Sequence, residues 1–244
     1  MRELLRRILK AFNADESYIE TVANELEEIG VEEIIEEGDL LLHTGVKVLG
    51  KGQNSVVIKC LYNGKQCACK ILRPDASRRD LIHEAQMLQI ANKVLVGPRI
   101  YSYRPHIIIM QLIRGVRIER YVQEISNNLK IKKIVLELVE QAYRLDEIGL
   151  EHDELSRPEE HILIENDTPY IIDFESAKYR GKKTFRNLTQ ILNALLVGRS
   201  KVALKIRHIL NIDNVVPIIQ LLREYKKDPR REIVNKIVNY ISNV

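Results

Sequence analysis

The apolar positions change period along the chain, and the changes divide it. Leu4, Leu5, Ile8, Leu9 and Phe12 recur at helical spacing, as do Ile19, Val22, Leu26 and Ile29, with Asp15 placed to cap the second helix and Gly30 to stop it. Residues 1–38 therefore read as a helical N-terminal extension. From Leu40 the pattern becomes strand: Val46 to Leu49, Val56 to Cys60, then Cys67 to Leu72 across the turn Asn63-Gly64, a strong short hairpin signal. A helix starting at Asp75 or Ser77 carries Leu81, Glu84, Ala85, Leu88 and Ala91, and two further strands follow at Pro98–Tyr101 and His106–Ile113. Beyond Leu112–Gly115 the spacing is helical: Ile131, Ile134, Val135, Leu138, Ala142 and Leu145 line a long helix that Gly149 ends, and further helices are expected near 187–197, 200–210 and 215–243. The exception is Ile162-Leu163-Ile164 and Tyr170-Ile171-Ile172, a hairpin closed by Glu165 to Pro169. The expected class is α+β, with boundaries at 1–38, 39–113 and 114–244.

Composition narrows the class little further. A chain of 244 residues with 45% hydrophobic and 30% charged residues, and only 11 Gly and 7 Pro, is globular and long enough for two lobes. The net charge of +4 suits an acidic ligand without marking a dedicated nucleic-acid binder. No apolar run approaches a membrane span and the N-terminus is too charged for a signal peptide, so a cytoplasmic protein without membrane contact is expected. Cys60, Cys67 and Cys69 fall within two strands and read as buried reduced thiols. The absence of Trp beside abundant Ile, Glu and Lys is a thermophile-like composition.

Three stretches carry chemistry. His152, Asp153, Glu154 and His161 precede or begin the first strand of the 162–172 hairpin and Asp173 follows the second, so the hairpin gathers them at one edge. Carboxylates at strand ends suit Mg²⁺, which takes hard oxygen ligands and shares them with substrate phosphates. Gly50-Lys51-Gly52-Gln53-Asn54-Ser55 lies between two strands, where glycine lets backbone amides approach phosphate closely. Lys70 interrupts an apolar strand and needs an anion if buried, and Glu84, among the apolar positions of the next helix, is its natural partner. The basic residues Arg180, Lys182, Lys183, Arg186, Arg199, Lys201, Lys205 and Arg207 are scattered enough to read as a solvated face, with RNA, a ribonucleoprotein or an acidic protein as the alternative partner.

In this order, glycine loop, Lys70, Glu84, the run Met110 to Gly115, His152 and Asp173-Phe174, the chain resembles a protein kinase over about residues 45–197, and is most similar to the small atypical kinases of the RIO type. The resemblance implies a two-lobed kinase-like fold: an antiparallel sheet with one helix in the N-lobe, and a reduced helical C-lobe. It implies ATP and Mg²⁺, with Mn²⁺ as an alternative, and transfer to Ser or Thr of a protein substrate or of the chain itself. Carried over by position, Gly50, Lys51, Gly52, Ser55 and Val57 would cover the nucleotide, Lys70 positioned by Glu84 would hold its phosphates, and Met110, Gln111 and Ile113 would border the adenine. Asp173 would bind the metal. The loop departs from the family pattern: aligned on His152 and Leu155, Glu154 stands for the catalytic Asp, with Asp153 beside it. Aligned on Ile162, His161 stands for the metal-binding Asn, with Glu160 as an oxygen ligand nearby, and the two anchors differ by two residues. Glu175 replaces the glycine of Asp-Phe-Gly. An inactive nucleotide-binding pseudokinase and a small-molecule phosphotransferase are the alternatives.

Overall fold

Two helices open the chain, α1 (Arg2–Lys10) and α2 (Glu16–Ile29). The Asp15 carboxylate accepts the Tyr18 amide at 2.8 Å, and Gly30 closes α2 in the left-handed region at φ 88°. The helical reading holds only to this point: Val31–Ile35 is a strand, β1, that pairs with the strand later formed by Ser55–Tyr62. Val31 and Ile34 turn to the core, and the pairing satisfies a strand edge that would otherwise be open. The computed structural model describes residues 1–244, which divide into two units, Met1–Gln89 with Pro98–Leu112, and Ile90–Gly97 with Ile113–Val244.

In the first unit, β2 (Leu40–Leu41) pairs with β3 (Lys47–Val48), and β4 (Gly50–Lys51), β5 (Ser55–Tyr62) and β6 (Lys65–Leu72) follow. Then come α3 (Ile82–Asn92), whose last residues belong to the other unit, β7 (Ile100–Arg104) and β8 (Ile107–Gln111). The main sheet is antiparallel, ordered β1-β5-β6-β8-β7, with β4 also on β5. Asn63 and Gly64 make the β5–β6 turn with φ of 49° and 67°, the geometry a two-residue hairpin needs. Helix α3 starts later than the sequence suggests, at Ile82, whose amide the Asp80 carboxylate accepts; Ser77 is instead tied to the Asn54 side chain.

Register sorts the sheet's side chains. Val56, Ile58, Cys60, Cys67, Cys69, Ile71, Ile107 and Ile109 share one core with Leu5, Leu9, Phe12, Val22 and Leu26 of the N-terminal helices. The three cysteines are free and buried there, and burial pushes the Cys69 thiol well up. The opposite face carries Val57, Ala68, Lys70, Ile108 and Met110, and against it Leu72 and Ile108 pack with Leu81 and Ala85.

The second unit adds β9 (Val116–Arg117), α4 (Ile118–Glu124) and the long α5 (Asn128–Ile148), capped by Asn127 and ended by Gly149 at φ 74°. Beyond it come β10 (Leu150–Glu151), a helical turn α6 (Pro158–His161), β11 (Ile162–Glu165), β12 (Thr168–Ile171) and β13 (Lys178–Tyr179). The β11–β12 hairpin closes on Asn166 and Asp167, both at positive φ, with Ile162 opposite Ile171. Helix α7 (Arg186–Leu192) runs into a π-helical turn, Asn193–Val197, and α8 (Lys201–Leu210) follows. The single helix expected over 215–243 is two, α9 (Val216–Lys227) and α10 (Arg231–Ser242), broken at Asp228-Pro229 because a residue before proline is driven out of the helical region.

Candidate functional site

The first unit contributes a buried cation and a glycine loop. Lys70 and Glu84 are 4% and 5% exposed, and Nζ of Lys70 donates to Oε1 of Glu84 at 2.6 Å. A lysine this buried requires its carboxylate, and the pair fixes the ammonium on the sheet face opposite the N-terminal helices, with Val57 beside it in register. Gly50 and Lys51 pair with Val57 and Val56, and the Gly52 amide donates to the Ser55 carbonyl at 2.8 Å, so the loop is a tight turn. Neither Gly50 nor Gly52 has a positive φ; what Gly50 supplies is space, since a Cβ there would meet nothing within 4 Å. The Lys51 side chain lies over the Phe12 ring, so the loop offers backbone rather than this ammonium to a ligand. Met110 and Gln111 end β8, with the Gln111 amide committed to the Arg99 carbonyl at 2.7 Å. Ile113 begins the segment of the second unit.

In the second unit, His152 is the hub. It is fully buried, its Nε2–H donates to the Ile172 carbonyl at 3.0 Å, and its ring stands edge-on to Phe174 and His161 at 4.9 and 5.3 Å between centroids. Burial lowers its pKa to about 4, so the imidazole is neutral. The hairpin thus brings His152, His161 and Phe174 together. Asp153 follows at φ 67°, an uncommon conformation for a residue with a side chain. One of its oxygens accepts from Lys178 Nζ at 2.5 Å, and the other, Oδ1, is buried with no hydrogen bond, 3.8 Å from Arg186. Glu154 is paired with Arg157, and Glu160, half-exposed, also meets Arg157 at 3.1 Å. Asp173, again at φ 67°, and Glu175 bring carboxylate oxygens within 4.8 Å of one another. The His161 ring is 4% exposed with neither nitrogen hydrogen-bonded; Nε2 lies 3.9 Å from the Glu160 carboxylate.

The donor set fits a phosphate-bound divalent ion. The adjacent carboxylates of Asp173 and Glu175 suit Mg²⁺, whereas the His161 imidazole, packed on His152, is not gathered with them.

Several supporting residues escaped the sequence reading. Asn187 accepts the His152 amide through Oδ1 at 2.9 Å and donates to Asp146 at 2.8 Å, while Gln190 accepts the Leu155 amide at 3.1 Å. Asp146, 1% exposed, also accepts from the amides of Asn187 and Leu188 and from the Tyr225 hydroxyl; burial raises its carboxyl to about 6. The available signal was an acid one turn beyond Ala142 on the apolar stripe of α5. The basic loop has its own anions: Glu151, 6% exposed, takes Arg180, Arg186 and the Thr184 hydroxyl, and Lys183 meets Glu147. Those pairs hold the loop to its own unit.

Residues 61–188 match the family model of the RIO domain. The chain is also similar to the uncharacterized protein MJ1211 of Methanocaldococcus jannaschii, 36% identical over 120 residues that make up 48% of this chain and 99% of that protein. The family match takes in Lys70, Glu84 and Asp173 and begins after the glycine loop.

Proposed function

The chain belongs to the RIO domain family of atypical kinases, with its kinase-like, two-lobed α+β fold, and on that premise we propose that it is an active Ser/Thr protein kinase using ATP and Mg²⁺. The observation that carries this reading is the buried Lys70–Glu84 pair, an ammonium held on one sheet face by a carboxylate. Lys70 holds phosphate oxygens, the backbone of Gly50 to Ser55 covers them, Val57 and Met110 border the base, and the chain at Gln111 and Ile113 meets its edge. Asp173, with Glu175 beside it, would supply oxygen ligands to the ion, and His161, set apart from them, would join only by moving toward it. Held there, Mg²⁺ would neutralise charge on the phosphates.

Between the two candidate bases, local pairing favours Asp153. The Glu154 carboxylate is hydrogen-bonded by Arg157 through Oε1, whereas Asp153 accepts from Lys178 through Oδ2 and its buried Oδ1 makes no hydrogen bond, with Arg186 3.8 Å away. In this assignment Asp153 accepts the hydroxyl proton as the acceptor oxygen bonds to Pγ and the Pγ–O bond to ADP breaks. The test is Mg²⁺-dependent incorporation of labelled γ-phosphate into the chain or an added protein. Lys70→Ala and Asp173→Ala should abolish it, and Asp153→Asn should lose turnover while keeping nucleotide affinity. Incorporation that survives the first two changes would refute the reading, and loss confined to Glu154→Gln would move the base to Glu154.

A pseudokinase is the second reading, supported by the alignment on Ile162 that sets the buried His161 where the family pattern has its metal-binding Asn. It predicts stabilisation by ATP without transfer. No helix is long and apolar enough to cross a membrane.

A further inference from the structure

The glycine loop is attached to the N-terminal helices through one aromatic ring. Phe12, 3% exposed, follows the end of α1. The guanidinium of Arg73, the first residue after β6, lies 4.5 Å from its ring centroid, and Lys51 of the glycine loop lies 5.4 Å from the same centroid. Arg73 then reaches the loop itself: Nη1 donates to the Gly52 carbonyl at 2.7 Å, while Nε and Nη2 donate to the two oxygens of Asp75 at 2.9 and 2.6 Å. Its backbone amide donates to the Asn54 carbonyl at 2.9 Å. All three guanidinium nitrogens are thus engaged, with the cation over a ring, paired with a carboxylate and fixed to a loop carbonyl.

A loop with two glycines loses much conformational freedom on ordering, and a loop ordered only by its ligand subtracts that loss from affinity. We infer that Phe12 and Arg73 are positioning residues that hold Gly50–Ser55 in order before any phosphate arrives. This rests on the reading that the loop covers nucleotide phosphates. Neither residue touches the nucleotide in this arrangement: Arg73 acts through the Gly52 carbonyl, and Phe12 acts through Arg73 and Lys51. The N-terminal helices then serve the site through that ring as well as by burying the sheet.

The experiment compares the full chain with Phe12→Leu, which keeps an apolar side chain, and Arg73→Lys, which keeps the charge but not the fork. Amide hydrogen exchange is followed at residues 50–55 and, as internal reference, in β5 and β6, without ligand. Affinities are measured for Mg·ATP and for adenosine, which lacks phosphates. Expected are faster exchange confined to the loop and an affinity for Mg·ATP about tenfold weaker, about 1.4 kcal/mol, with adenosine unchanged. Unchanged loop exchange, or exchange that rises equally in the strands, overturns the inference, since the second result describes packing alone. Equal weakening for adenosine also overturns it. If the unaltered chain binds neither ligand, the nucleotide reading fails, and loop exchange alone still decides whether the clamp exists.

Discussion

His152 should make stability depend on pH in a way that a single substitution removes. Its pKa falls from 6.5 to about 4 because the ring is fully buried and only its neutral form suits the site. A base whose folded pKa is depressed contributes full stability above its unfolded pKa and loses it as pH falls toward the folded one. The loss is about 2 kcal/mol at pH 5 and about 3 kcal/mol at pH 4. His152→Phe keeps a ring against Phe174 and His161 but leaves the Ile172 carbonyl without its donor, at a cost of about 1–3 kcal/mol at every pH. The variant should therefore be the less stable protein at pH 7.5 and draw level near pH 5. Asp146 works in the opposite sense: with its carboxyl raised from 3.8 to about 6, its contribution is present at low pH and lost as pH rises through 6. The raw profile thus partly cancels, and the difference between the two proteins isolates His152. Urea unfolding in metal-free buffer at pH 7.5, 6, 5 and 4 measures it. A difference constant across that range would refute a neutral, titration-sensitive His152.

Other outcomes are equally definite. ATP with Mg²⁺ at a hundred times its Kd should stabilise the chain by about 2.7 kcal/mol, and Lys70→Ala should reduce this below about 0.5 kcal/mol in a thermal-shift titration. Gly149→Ala should cost at least about 2 kcal/mol by chemical denaturation, because φ is 74° and the new Cβ would stand 2.2 Å from the Lys182 carbonyl oxygen. Cys60, Cys67 and Cys69 should resist a thiol reagent until the first unit opens, then all react.

The parts legible in the sequence were those fixed by short-range pattern. The Asn63-Gly64 turn and the stop at Gly149 each need a particular backbone geometry, and the residues that supply it are few. A lone Lys70 in an apolar strand pointed to a buried anion for the same reason, since few arrangements tolerate it. What stayed hidden depends on distant partners. Val31–Ile35 becomes a strand because β5 has an open edge, which local spacing does not show. Asp153 meets Lys178, 25 residues later, and the Asp146–Asn187–His152 chain joins α5, α7 and the loop. The missed break at Asp228-Pro229 was different: proline was in view, and the apolar period on both sides outweighed it.

The N-terminal helices and β1 also set a condition on dissecting the protein. A version starting at β2 would lose at once the apolar cover over Val56, Ile58, Ile71, Ile107 and Ile109 and the partner of the β5 edge. Bare strand edge next to bare greasy face is the combination through which sheets add to one another between molecules, so such a version should form assemblies rather than a smaller kinase domain. The family match begins only at residue 61, within β5. A relative without these helices must therefore shield that face with some other element, and what each member uses as its shield becomes a place where the family can vary without disturbing Lys70.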